Sequence, residues 1–147
     1  MLLVCAIREN IMKLITLILM LLTLATQQLD KPYVYATSGP DSYDCSGLVC
    51  YCYKETFDIT LPRSAKDLGY CEDYLKIESI DELKLGDVVC FNTNEHDKDL
   101  SDHVGIYMGD GEFIHASSSK GKVLLARLDE GYFNRVFSWA LRIVEDE

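Results

Sequence analysis

The tripeptide Gly109-Asp110-Gly111 constrains this chain more than any other segment. Alternating runs flank it, His103-Val104-Gly105-Ile106-Tyr107-Met108 before and Glu112-Phe113-Ile114-His115-Ala116-Ser117 after. A glycine-bounded trio between two such runs is the signature of a β-hairpin with a three-residue loop. A turn symmetric about Asp110 sets His115 opposite Gly105 and His103 opposite Ser117. Because side chains alternate along a strand, His103, Gly105 and Tyr107 then share a face with Phe113 and His115. The two histidines become diagonal neighbours, about 7–8 Å apart by backbone and within reach of each other's rings. Gly105 leaves space beside His115. A slip of one residue would turn the rings to the wrong face, so the arrangement depends on the turn.

The rest of the chain supplies a sheet around that hairpin and helices ahead of it. Strands are expected over residues 87–92, 103–108, 112–117, 122–128 and 136–144, the last carrying Trp139. Upstream, residues 46–57 read as a helix with Asp44 as its N-cap, which puts Leu48, Val49, Cys52 and Tyr53 on one buried stripe. Residues 62–69 read as a second short helix stopped by Gly69, and residues 37–42 as a loop by their turn chemistry. Helices followed by an antiparallel meander predict an α+β fold, with helices packed on one side of a curved antiparallel sheet or half-barrel.

At 147 residues there is room for one domain. Residues 1–28 read as an address segment and residues 29–147 as the working domain. After Met12-Lys13, residues 14–24 form an apolar run of 11. That is too short to span a bilayer but fits a signal-peptide core of roughly 7–15 residues. Small residues at Thr23 and Ala25 suit cleavage after Ala25, with Met12 as an alternative translation start and an uncleaved anchor as the competing reading. Either way the domain is expected outside the cell. The net charge of −10 argues against nucleic acid as a partner and against adhesion to anionic membranes by charge.

Six cysteines occur in all, and setting Cys5 aside with the address segment leaves an odd number. One free thiol suits a nucleophile. Cys50, Cys52, Cys71 and Cys90 can pair or act as small buried apolar groups, and the second is favoured because Cys90 lies in a buried strand pattern. Cys45 is the chemically interesting one. It opens the helix after Asp44, where the partial positive charge of a helix N-terminus favours thiolate over thiol. His103 is the candidate base and later general acid, His115 the group that orients it, and the Cys45 N–H an oxyanion donor. A zinc site is the rival use of a Cys/His/His set. No Cys-x2-Cys or His-x3–5-His spacing accompanies it, so no metal is expected. His96 lies in a polar loop and reads as solvated.

Five segments in order resemble the blocks of the NlpC/P60 family of papain-like cysteine peptidases. They are Asp44-Cys45-Ser46-Gly47-Leu48-Val49, Leu61-Pro62-Arg63, Leu85-Gly86-Asp87-Val88-Val89, His103-Val104-Gly105-Ile106-Tyr107-Met108-Gly109 and Phe113-Ile114-His115-Ala116. The resemblance implies the papain-like NlpC/P60 fold, with Cys45 as nucleophile, His103 as base and His115 as third residue. It implies that Tyr33 lines the site near the oxyanion, that Asp44 and Ser46 meet the free amino end of a stem peptide, and that Arg63 and Ser64 line the diaminopimelate side. The implied activity is a secreted, cofactor-free, monomeric endopeptidase acting on peptidoglycan stem peptides at the γ-D-glutamyl–diaminopimelate (or lysine) bond. Tyr35-Ala36-Thr37-Ser38-Gly39 departs from the Gly-Gly that many relatives carry, which alters the nearby subsite. An amidase or acyltransferase on the same scaffold, or a wall-binding effector with a decayed site, remain open alternatives.

Overall fold

The order read from the sequence, helices first and an antiparallel meander after, is the order observed. The computed structural model describes residues 1–145. Its elements are α1 (Leu2–Gln27), α2 (Cys45–Phe57), α3 (Ala65–Gly69), β1 (Leu75–Ile77), a 3-10 turn (Ile80–Glu82), β2 (Val88–Phe91), β3 (His103–Gly109), β4 (Glu112–Ser117), β5 (Lys122–Arg127), α4 (Gly131–Val136) and β6 (Phe137–Arg142). The strands form one antiparallel sheet in the order β1-β6-β2-β3-β4-β5. The meander β2 to β5 is continuous, and β6 returns to the far side of β2.

The β3–β4 turn differs from the expected loop while keeping its register. Asp110 and Gly111 both have positive φ, 53° and 75°, so they form the two-residue turn whose twist suits a hairpin. Left alone, a two-residue turn would shift the pairing by one. A bulge at Met108 restores it, and Ile106 faces Ile114 and Tyr107 faces Phe113 as a turn centred on Asp110 requires. Gly105 is needed here, because a Cβ at that position would stand 2.7 Å from the Ile114 carbonyl.

Alternation divides the sheet's side chains between two apolar layers. Val88, Cys90, Val104, Ile106, Ile114, Ala116 and Leu141 pack against Leu48, Val49, Cys52 and Tyr53 of α2. Val89, Phe91, Phe113 and Ala140 build a smaller cluster on the other face, with Phe133 and Phe137 packed on it. Between β2 and β6, Arg142 clamps the buried Asp87 with Nε on Oδ1 at 3.0 Å and Nη2 on Oδ2 at 2.8 Å. The Trp139 Nε1–H donates to the Gly69 carbonyl at 2.9 Å and ties β6 to α3. Gly69 does not stop α3 by a left-handed turn; a Cβ there would fall 2.0 Å from Ser101 Oγ, so the glycine makes room. All six cysteines are free thiols, and Cys52 and Cys90 are buried.

The N-terminal segment is one long helix, and its last turns are part of the core. Leu21 and Ala25 have 0 % exposure and join the α2 side cluster. Gln28, 3 % exposed, accepts the Tyr43 hydroxyl at 2.8 Å and the Lys31 ammonium at 2.7 Å. The first 13 residues are exposed throughout. Cleavage after Ala25 would therefore take Leu21 and Ala25 out of the core.

Candidate active site

Asp44 begins the site. As the residue before α2, it turns its carboxylate back to accept the Gly47 N–H at 2.6 Å, the N-cap bond expected of it. The Ala36 N–H reaches its other oxygen at 3.0 Å. Arg63 then grips the same carboxylate with a planar fork, Nη1 on Oδ1 at 2.9 Å and Nη2 on Oδ2 at 2.8 Å. Nη1 also donates to Ser46 Oγ at 2.9 Å, and Nη2 to the Thr37 carbonyl at 3.2 Å. Asp44, Ser46 and Arg63 thus meet in one cluster beside Cys45. Ser64 is used differently: its Oγ accepts the Asp67 N–H at 3.0 Å and caps α3.

Cys45 is the first residue of α2 and half-buried. Burial pushes its thiol pKa up; the Val104 N–H pulls it down, Asp44 pushes it up, and the N–H groups of Ser46 and of Cys45 itself pull it down. The helix N-terminus favours the thiolate as expected, and desolvation opposes it more strongly. Val104 is the neighbour of His103, which sets the sulfur at the start of β3. Tyr33 stands close enough that the Cys45 charge adds to burial in raising its phenol pKa. Its N–H is anchored on the Gly121 carbonyl at 2.9 Å.

The two histidines meet directly. His103 Nε2 and His115 Nδ1 are 2.7 Å apart, with the rings nearly perpendicular at 84°. Each ring is held in an aromatic box that the sequence did not announce. Phe91 lies 5.9 Å from His103 and Phe113 4.8 Å from His115. Phe133 of α4 stacks on His103 at 6.2 Å and meets His115 edge-on at 5.1 Å. Burial holds both imidazoles well below their ordinary range, His103 down to about 4, and a charge on His103 further opposes one on His115. Asp102 pulls His103 the opposite way, though less strongly. The pair is therefore neutral at physiological pH. Among the described residues, no three His, Cys, Asp or Glu side chains converge as a metal site.

This geometry can move a proton. With Nε2 tied to His115, the ring nitrogen of His103 left free is Nδ1, and its lone pair is available if the shared proton rides on Nε2. The Cys45 thiol donates no hydrogen bond to either imidazole in this state; such contacts are often long until a substrate is bound.

The model of the NlpC/P60 family matches residues 30–142. The chain belongs to the NlpC/P60 family. Among curated relatives, it is 39% identical over 119 residues to the murein DD-endopeptidase MepH of Escherichia coli, spanning 80% of this chain and 43% of that protein. It is 40% identical over 110 residues to a gamma-DL-glutamyl hydrolase of Bacillus subtilis, spanning 74% of this chain and 25% of that protein. Among solved structures, NlpC2 of Trichomonas vaginalis superposes with a TM-score of 0.74 at 33% identity, over 83% of this chain and 44% of that one. The chain thus spans less than half the length of these relatives. The expected fold class, helices on a curved antiparallel sheet of NlpC/P60 type, is the one found.

Proposed function

We propose that this chain is a cysteine peptidase that hydrolyses the γ-D-glutamyl–diaminopimelate (or lysine) bond of peptidoglycan stem peptides. The observation that carries the reading is the 2.7 Å contact between His103 Nε2 and His115 Nδ1, close to a helix that opens on a cysteine. His115 Nδ1 accepts a hydrogen bond from the His103 Nε2–H and so fixes His103 as the tautomer with a basic Nδ1. As Cys45 Sγ forms its bond to the γ-carbonyl carbon, its proton passes to that Nδ1. The developing oxyanion takes the Cys45 N–H, with Tyr33 lining the same side. Collapse breaks the C–N bond, the leaving amine takes the proton from His103, and a thioester remains. Water then attacks the thioester, giving its proton to His103, which returns it to the departing sulfur. Asp44 and Ser46 receive the free amino end of the stem peptide, and Arg63 holds the Asp44 carboxylate in position for it.

Because burial disfavours thiolate and imidazolium alike, the proposed step is a general-base attack rather than an ion pair formed in advance. The name of the gamma-DL-glutamyl hydrolase supports the γ-bond, whereas that of MepH favours a second reading, cleavage of a D,D-linkage. Export, as the apolar run of α1 suggests, would put the domain beside its substrate; trimming compatible with the packing lies N-terminal to Leu21.

The purified chain is incubated with defined stem peptides and cross-linked dimers, and the fragments are weighed. Cleavage of the γ-bond, lost in Cys45→Ala while the circular dichroism stays native, is the expected result. Undiminished turnover by that variant ends the proposal. Cleavage confined to cross-linked dimers transfers it to the D,D-bond, and products bearing an acceptor other than water identify an acyltransferase. A native fold without any turnover points to a wall-binding module.

A further inference from the structure

α4 is a single surface turn and a half with one residue that matters to the site. It starts at Gly131, whose φ of 73° suits the sharp change of direction after β5. Tyr132 is exposed and Arg135 faces solvent, while Phe133 turns inward. The turn is held at several points. The Tyr132 hydroxyl donates to the Thr93 carbonyl at 3.4 Å, Asn134 Nδ2 to the Leu128 carbonyl at 3.2 Å, and the Asn92 N–H to the Val136 carbonyl at 3.0 Å. Thr93 in turn gives its N–H and hydroxyl to Asp102, the residue before His103, at 2.8 and 3.0 Å. One short network therefore carries both the base and the ring that covers it.

We infer that Phe133 is the positioning residue of this site: its ring seats the His103–His115 pair from the α4 side and excludes water from it. Phe91 and Phe113 come from strands and are fully buried, so they belong to the sheet's own packing. Phe133 is only partly buried and comes from a short surface turn; its ring leans on Phe91 at 5.2 Å and Phe113 at 4.9 Å and from there faces both imidazoles. Rings that lose this cover gain water, which lets the imidazolium form and frees the χ angles that aim Nδ1. The ionisable groups around the pair are few. Asp102 precedes β3, Cys45 and Asp44 lie at the start of α2, Tyr33 approaches from the N-terminal segment, and Tyr132 and Arg135 flank Phe133 on α4.

The inference rests on the roles proposed for His103 and His115, so its test includes a readout that needs no turnover. Histidine ring resonances are followed against pH in Cys45→Ala protein, with Phe133 intact and as Phe133→Ala. With Phe133, both rings stay neutral well below the ordinary imidazole range; in Phe133→Ala the midpoints rise by about one pH unit or more. In otherwise wild-type protein, Phe133→Ala lowers kcat at least about tenfold with KM little changed, and moves the acid limb of the pH profile upward. Phe133→Leu, which keeps an apolar cover, restores most of both. A folded Phe133→Ala protein with unchanged histidine midpoints overturns the inference. Should alanine not fold, Phe133→Val carries the same comparison, and native midpoints there overturn it equally. A titration shift without any stem-peptide turnover in wild type would sink the proposed reaction and leave the role of Phe133 standing.

Discussion

At Cys45 the helix N-terminus and three backbone N–H groups favour the thiolate, yet burial in the cleft pushes the thiol pKa upward and prevails. The same desolvation holds His103 at about 4, against an ordinary imidazole value of roughly 6.5. In the proposed role of base, His103 would therefore keep its lone pair over most of the acid range. We expect kcat/KM on a stem peptide to hold nearly constant from neutral pH down to about 5 and to fall as pH passes through about 4. A stopped assay across that range checks this, with circular dichroism at each pH to separate protonation from unfolding. An acid limb near 6.5 would mean that the imidazoles are wet. The position of Cys45 and the partnership of the histidines were legible in the sequence, because a capped helix start and a hairpin turn are local features. The aromatic box was not. Phe133 sits in a short stretch after a glycine with no periodic pattern to mark it, and Arg63 carries no local sign that it will fork onto Asp44, 19 residues away.

Among the elements, those with a clear period or an apolar run between turn signals were legible, and two short ones without either were not. β3, β4, β5 and α2 fall within a residue or two of their expected bounds. β1, three residues long, and α4, six residues long, show no period long enough to read; β1 has only Ile77 buried. α1 is the instructive case. An apolar run serves equally as a signal core or as a helix that packs, and the docking of Leu21 and Ala25 is a feature the run itself does not reveal. A chain that begins at Thr26 lacks both residues, and we expect it to melt well below one that begins at Met12. Leu21→Ala alone should cost about 3 kcal/mol, since a buried leucine is replaced by a cavity. Denaturant titration of the three proteins measures this. Equal stability of the Thr26 chain would show that α1 is dispensable.

For the whole molecule, the buried neutral histidines link folding to pH. Their pKa values are lower in the folded state than in the unfolded chain, so below about pH 6.5 the unfolded chain binds protons that the folded one does not. Stability is full above that value and declines as pH falls, the loss from His103 being complete near its folded pKa of about 4. Melting temperatures measured from pH 7.5 to 4.5 should drop through this window, and His103→Gln/His115→Gln should flatten the slope; an equal slope in that double variant would assign the effect elsewhere. By itself, the amino-acid sequence determined the α+β order, the hairpin register and the placement of a cysteine at a helix start and two histidines on one face of the hairpin. Those follow from alternation, turn chemistry and capping, which act over a few residues. Only the tertiary structure decided the desolvation of Cys45 and the histidines, the ring that covers the pair, the Arg63 clamp and the docking of Leu21 and Ala25. These depend on which distant segments exclude water from one another, and desolvation exists only once the chain has closed.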